Sequence, residues 1–174
     1  MFWLKLVSNF IKILREGQTP AQVAGGFALG SILGLSPMFT LQGLLVWLVI
    51  LVLDVNLSAA TLSLLVFSLI AFIFDPVFHH LGYFLLVNVE GFKGVWTTLY
   101  NAPIAPLTRF NNTVVMGSFV CALILFTPVY FGMKKFIVAY RTTVGVRIEK
   151  MKIYQFVSKS WIVQTYQRIR GLGV

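Results

Sequence analysis

The order of apolar and polar positions divides the chain before any other property is considered. From Met1 to Glu16, Lys5, Ser8, Asn9, Lys12, Arg15 and Glu16 recur at helical spacing opposite Phe2, Trp3, Leu6, Phe10, Ile13 and Leu14. That pattern predicts an amphipathic helix over 1–16, suited to a membrane surface. Gly17 stops it and Thr19-Pro20 starts another, since a Thr hydroxyl caps free amides and Pro is tolerated at the first helical position. This helix is expected to reach about Leu35, where Ser36-Pro37 interrupts it before a second apolar run, Met38 to Leu53. A straight helix from Pro20 to Leu53 would measure about 50 Å at 1.5 Å per residue, against about 30 Å for a hydrocarbon core. The unit 19–54 is therefore expected to be broken.

A second unit, 56–89, has the same appearance. Asn56 is a good cap for a helix from Leu57 to Phe74, and Asp75-Pro76 is expected to stop it before the apolar residues resume through Val89. Residues 90–112 mix charges, turn formers and aromatics, and predict an interfacial connector. The cleanest span follows at 113–133, with Pro128 near its end and Lys134 and Lys135 expected to terminate it. The frame is thus a membrane domain over 17–136 and a basic amphipathic tail over 137–174.

Composition decides the solvent. The 174 residues are 58% hydrophobic and 11% charged, with a mean hydropathy of +0.87, which argues against a soluble domain. The expected class is an all-α polytopic integral membrane protein with proline-interrupted helices. Fourteen Lys and Arg oppose five Asp and Glu, none of the basic residues lies between Arg15 and Lys93, and nine follow Met133. Basic residues stay cytoplasmic, so the tail is expected there, the crossings should be even in number, and four is the expected count. The tail alternates charge with Ile148, Met151, Ile153, Phe156, Trp161, Tyr166 and Ile169, which suits anionic lipid headgroups and not nucleic acid. Lys5, Asn9 and Lys12 break the first apolar stretch, so a removable signal peptide is not expected.

Chemistry-bearing residues are few. One cysteine, Cys121, and two histidines, His79 and His80, leave no metal cage and no disulfide. With no nucleophile arrangement, paired catalytic carboxylates, phosphate loop or nucleotide fingerprint, no catalytic residues, cofactor or enzyme activity are expected. Two features stand out instead. Gly26, Gly30 and Gly34 recur every four residues with Ala24, Ala28 and Ser31 alongside, a small-residue stripe for close helix packing, within the chain or between copies. The second feature is the break itself: Ser36-Pro37-Met38-Phe39-Thr40-Leu41-Gln42-Gly43 matches Asp75-Pro76-Val77-Phe78-His79-His80-Leu81-Gly82 at Pro, Phe and Gly.

That match makes a candidate internal repeat, and paired interruptions point to a midplane site in transporters. A Pro at the first helical position would leave the amides of Met38, Phe39, Val77 and Phe78 free for an anion such as a phosphate headgroup. Ser36, Pro37, Phe39, Gln42, Asp75, Pro76, Phe78 and His79 are the candidate headgroup-binding residues. Asp75 serves equally as a cap that fills the same amides, and with His79 four residues on it would suit a proton relay or cation site. Proline breaks whose freed carbonyls are satisfied by neighbours are the structural alternative.

Thr19-Pro20, Ala24 to Gly34, Pro37, Asp54-Val55-Asn56-Leu57-Ser58-Ala59-Ala60 and Asp75-Pro76 with Gly82 together resemble the bacterial membrane proteins grouped as domain of unknown function 2062, over roughly Gly17 to Val89. In that family the first break usually reads Gly-Leu-Leu-Pro before a polar stretch often holding His, and the second Asn-Pro. Gly34-Leu35-Ser36-Pro37 keeps the first, while Gln42 stands near the His position and Asp75 replaces the Asn. The resemblance implies a bacterial inner-membrane protein and brings no established reaction. The amphipathic start and basic tail resemble a subgroup found beside a large envelope protein.

Two functions follow as expectations. One is a lipid-handling or transport component whose paired breaks bind phosphate-bearing headgroups while the glycine stripe permits helix movement. The other is a non-catalytic subunit that assembles or anchors a larger envelope complex, or a homo-oligomer, through the glycine face and the aromatic connector.

Overall fold

The computed structural model describes residues 18–145, all of whose regular structure is helical. Helix α1 (Pro20–Leu35) starts as its sequence requires. Thr19 Oγ1 accepts the Gln22 amide at 3.2 Å, Gln22 Oε1 accepts the Thr19 amide at 2.8 Å, and Pro20 fills the first turn. It ends at Ser36, whose amide and hydroxyl both donate to the Ile32 carbonyl, at 3.0 and 2.7 Å. After a turn at 37–40 comes α2 (Leu41–Val52), capped by Thr40. Asn56 then caps α3 (Leu57–Tyr83), its Oδ1 accepting the Ala59 amide at 2.6 Å.

A π turn, Phe84–Asn88, and a 3-10 turn, Glu90–Phe92, lead from α3 into the short α4 (Lys93–Tyr100). A second 3-10 turn, Ala105–Thr108, and left-handed Arg109 reverse the chain towards α5 (Thr113–Ala139), which passes into a π turn, Tyr140–Gly145. Asn112 Oδ1 caps α5 by accepting the amides of Val114 and Val115 at 2.9 and 3.2 Å. Removal of the Asn56 cap leaves an orphan amide at the start of α3. Asn56→Ala is expected to cost about 1 kcal/mol and to lower the thermal unfolding midpoint in detergent.

The core is a bundle of α1, α3 and α5 in which α1 is the most enclosed member, with eleven buried residues. Gly26, Gly30 and Gly34 face Asn56, Ala60 and Leu64, each thirty residues on, so α1 and α3 run parallel in contact along the stripe. A Cβ at Gly30 would collide with the Ala60 carbonyl, so the spacing of these backbones depends on the missing side chain. Helices α3 and α5 run antiparallel, with Gly82 against Thr113 and Gly117 against Phe78. Val23, Ala24, Ala59 and Ile137 close the other end of the bundle.

Helix α2 is a return stroke. The Asn56 amide donates to the Gln22 carbonyl at 3.1 Å and Gln22 Nε2 donates to Asp54 Oδ2, which puts the end of α2 beside the start of α1. Helices α1 and α2 therefore form a hairpin that opens at one end of the bundle and turns at 36–40. Arg141 Nη1 donates to the Gln18 carbonyl at 2.8 Å, so the end of α5 arrives at that same end.

The sequence expectations for unit 19–54 and unit 56–89 part company here. The first is broken as expected: it contains two helices that fold back on each other as a hairpin. The second is not broken: α3 continues through Asp75 and Pro76 to Tyr83. Pro76 removes one amide and leaves the Phe72 carbonyl without its usual donor, yet the close approaches of Gly82 and Gly117 hold α3 against α5 beyond the defect. The repeat is accordingly one of sequence only, since Pro37 sits in a turn and Pro76 in a helix. The last helix does not stop at Lys134 and Lys135 but runs to Ala139. Residues 90–112 hold two 3-10 turns and the eight-residue helix α4. The amphipathic segment 1–16 and the tail beyond residue 145 lie outside the described residues.

Candidate functional site

The hairpin turn gathers the first group of expected site residues. Ser36 and Thr40 are buried, and Gln42 is 9% exposed, whereas Pro37 is exposed and Phe39 is 85% exposed. Thr40 Oγ1 donates to the Pro37 carbonyl at 2.8 Å and accepts the Gly43 amide at 3.4 Å. The cap of α2 is thus Thr40, and the expectation that Pro37 opens the helix and frees the amides of Met38 and Phe39 is corrected: both residues belong to the turn. The helix-start amides without an intrahelical acceptor are those of Leu41 and Gln42. Gln42 Oε1 is buried with no hydrogen-bond partner among the described residues. A buried amide oxygen in that state costs about 1–3 kcal/mol unless a donor reaches it.

The second group does not assemble into a matching site. Val77 and Phe78 lie inside a continuous helix, so their amides are not a helix start, and Asp75 caps nothing. Asp75 is exposed and makes no hydrogen bond or ion pair with a described residue. His79 turns away from it: Nδ1 lies 2.7 Å from Thr113 Oγ1, tying α3 to the first residue of α5. His80 Nδ1 lies 2.7 Å from the Pro76 carbonyl on its own helix. The expected Asp75–His79 pairing is therefore not formed. Phe78 is buried in the apolar core shared with Leu35 and Met38, so it supports the fold.

The glycine stripe is occupied. Gly26, Gly30 and Gly34 are covered by α3 of the same chain, so this face is not open to another protein or a second copy. Two participants escaped the sequence reading. Thr40, a capping residue three positions before Gly43 and directly ahead of an apolar run, carried a readable signal. Gln22, at the third position of a capping box, carried one too, but its bond to Asp54 is a tertiary contact with no local signature.

A family model described as "uncharacterized protein conserved in bacteria (DUF2062)" matches residues 5–144. The chain belongs to this bacterial family. The match extends past the 17–89 segment that carries the motifs, and takes in the connector and α5. A relative in Treponema pallidum (strain Nichols), itself described only as an uncharacterized protein, is 27% identical over 151 residues, covering 87% of this chain and 93% of its own. No solved structure matches the chain.

Proposed function

We propose that this family member is a multi-pass protein of the bacterial inner membrane that handles lipid, and that the hairpin tip is its working element. Two helical stretches, Leu57–Asn88 and Thr113–Thr143, are long and apolar enough to cross a bilayer, and only 17% and 22% of their apolar windows are buried within the molecule. The core helix of a soluble protein would be mostly covered. Here Leu69, Phe72, Ile73 and Ile124 lie open on the outer surface, a face that suits hydrocarbon and not water. The hairpin then enters beside these helices and returns to its starting end, which gives two crossings with both ends of the described chain on the cytoplasmic side.

The observation that carries the reading is the buried, unpartnered Gln42 Oε1 at the turn of this hairpin. Irregular backbone at bilayer depth persists where protein or a water-lined cavity satisfies it. A polar tip between two lipid-facing helices offers a moving headgroup a hydrogen bond where hydrocarbon offers none. Its donors are the Leu41 and Gln42 amides and its acceptor is the Gln42 side chain, a set that matches a phosphate bearing a hydroxyl, or that phosphate with its water. No covalent step is required, and the protein works as a non-enzymatic component with membrane lipids as its partners.

The test is transbilayer movement of a fluorescent phospholipid in proteoliposomes, read by chemical quenching of the outer leaflet. The full chain is expected to accelerate movement over empty vesicles, and Gln42→Leu to lower the rate about tenfold, the loss of one hydrogen bond of about 1.4 kcal/mol in the barrier. Equal rates in protein-containing and empty vesicles would remove the transport reading.

A further inference from the structure

A groove of about 440 Å³ lies away from the tip, towards the open end of the hairpin, lined by Gln22, Gly25 and Leu29 of α1, Asp54 after α2, and Phe126 and Tyr130 of α5. Its floor is apolar because Gly25 and Leu29 leave α1 low, and its wall is a ladder of aromatic rings, Phe126 stacked on Tyr130 at 6.5 Å. One charge stands in its lining and an opposite one lies just beyond its aromatic wall. On one side the Asp54 carboxylate accepts only the Gln22 side-chain amide, and no cation among the described residues pairs with it. On the other, one turn beyond Tyr130 on the same face of α5, the Lys134 ammonium lies 6.0 Å from the Tyr130 ring and pairs with no carboxylate among the described residues.

We infer that this groove holds a phospholipid with a primary ammonium in its headgroup, the phosphate on Lys134, the ammonium on Asp54 and an acyl chain along Gly25, Leu29 and Phe126. The charges select the occupant. A purely anionic headgroup satisfies Lys134 but sets a negative charge near Asp54. A quaternary ammonium brings the right charge but no N–H, so it forfeits the charge-assisted hydrogen bond to the carboxylate. A phosphoethanolamine headgroup answers both charges. The level is right as well, because the Asp54 rim lies beside Gln22, in the first turn of α1, where the hairpin opens, while the groove floor leads from Gly25 to Leu29 in the direction of the turn.

The inference rests on the lipid-handling reading and makes the groove the place where a lipid is held before its headgroup reaches the tip. The full chain, purified in mild detergent, is equilibrated with equal amounts of phosphatidylethanolamine, phosphatidylglycerol and phosphatidylcholine, and bound lipid is read by native mass spectrometry. Phosphatidylethanolamine is expected to be retained about fivefold over the other two. Asp54→Asn, which keeps the acceptor for Gln22, is expected to erase the preference over phosphatidylcholine, and Lys134→Gln to reduce retention of all three, with Lys134→Arg restoring it. Equal retention of the three lipids by the unaltered chain, or a preference unchanged by Asp54→Asn, would overturn the inference. Lipid movement in vesicles without this selectivity would sink the groove alone; selective retention without movement would sink the transport reading alone.

Discussion

Gly30→Leu is expected to abolish the folded bundle. The position has no room for even a methyl group, since a Cβ would run into the carbonyl, carbonyl carbon and Cα of Ala60, and backbone cannot swing aside as the end of a side chain can. To accept leucine, α1 and α3 must separate along the whole stripe, breaking the neighbouring contacts at Gly26 and Gly34. Overpacking of an ordinary core costs about 1–3 kcal/mol; a backbone collision shared by three positions should exceed that range. Size-exclusion chromatography of a fluorescent fusion reads the result as loss of the monodisperse peak. Gly132→Ala is the matched control. A Cβ there meets nothing within 4 Å, and relief from glycine in a helix is expected to leave stability unchanged or raise it by about 0.5–1 kcal/mol. If Gly30→Leu gives a normal peak and loses instead a co-purifying protein, the stripe is an outward docking face and the packing described above is wrong.

This outcome separates two uses of one motif that the sequence alone left open. A glycine every four residues says that a backbone comes close, but not whose. The answer lies thirty residues on, where Asn56, Ala60 and Leu64 present their carbonyls at the same four-residue interval. Local signals were legible wherever a single turn of chain determines the structure: Thr19-Pro20 and Asn56 start helices where expected, and Ser36 ends one. The resemblance to an uncharacterised bacterial family also held, over a longer stretch than its motifs.

Misreadings came where distant contacts overrule the local pattern. Asp75-Pro76 reads as a stop because proline forfeits a hydrogen bond, and in an isolated helix it would be one. Here α5 lies against α3 both at Phe78 and at Gly82, so packing sustains the helix across the gap. At Ser36-Pro37 there is no comparable partner beyond the break; α1 is enclosed to Leu35, and the chain then turns. The same dipeptide pattern thus gives a turn in one place and a continuous helix in the other. The match between 36–43 and 75–82 carried no information about which. The expectation of paired free amides fails in the same way, because it requires paired helix starts and only Thr40 supplies one. Gln42 survives as a candidate for a reason the spacing did not contain, namely that its side-chain oxygen is buried and unsatisfied.

The proposed two-crossing topology can be tested by reagent access. Gly34 lies beside Leu64, Phe67 and Ser68 of α3. Ser68 is eleven residues into that helix, about 17 Å along a rod of about 40 Å, so Gly34 lies short of the middle of α3, while α2 comes up against the 3-10 turn Ala105–Thr108 of the connector. The proposed hairpin leaves Phe39 within the hydrocarbon, whereas four crossings would carry it to the face that bears the connector. With Cys121 replaced by Ser, single cysteines at Leu53, Phe39 and Asn101 distinguish the arrangements. A membrane-impermeant maleimide added to intact cells is expected to label Asn101→Cys and to leave Leu53→Cys and Phe39→Cys unmodified. Opening the cells should expose Leu53→Cys, which lies at the end shared by Gln18 and Arg141, the side on which the nine basic residues after Met133 are expected to keep the chain. Phe39→Cys should stay unlabelled from both faces, although its side chain is among the most exposed of the described residues, because the proposed arrangement surrounds it with lipid. Labelling of Phe39→Cys from outside as readily as Asn101→Cys would replace the hairpin with two full crossings and take the polar tip out of the bilayer.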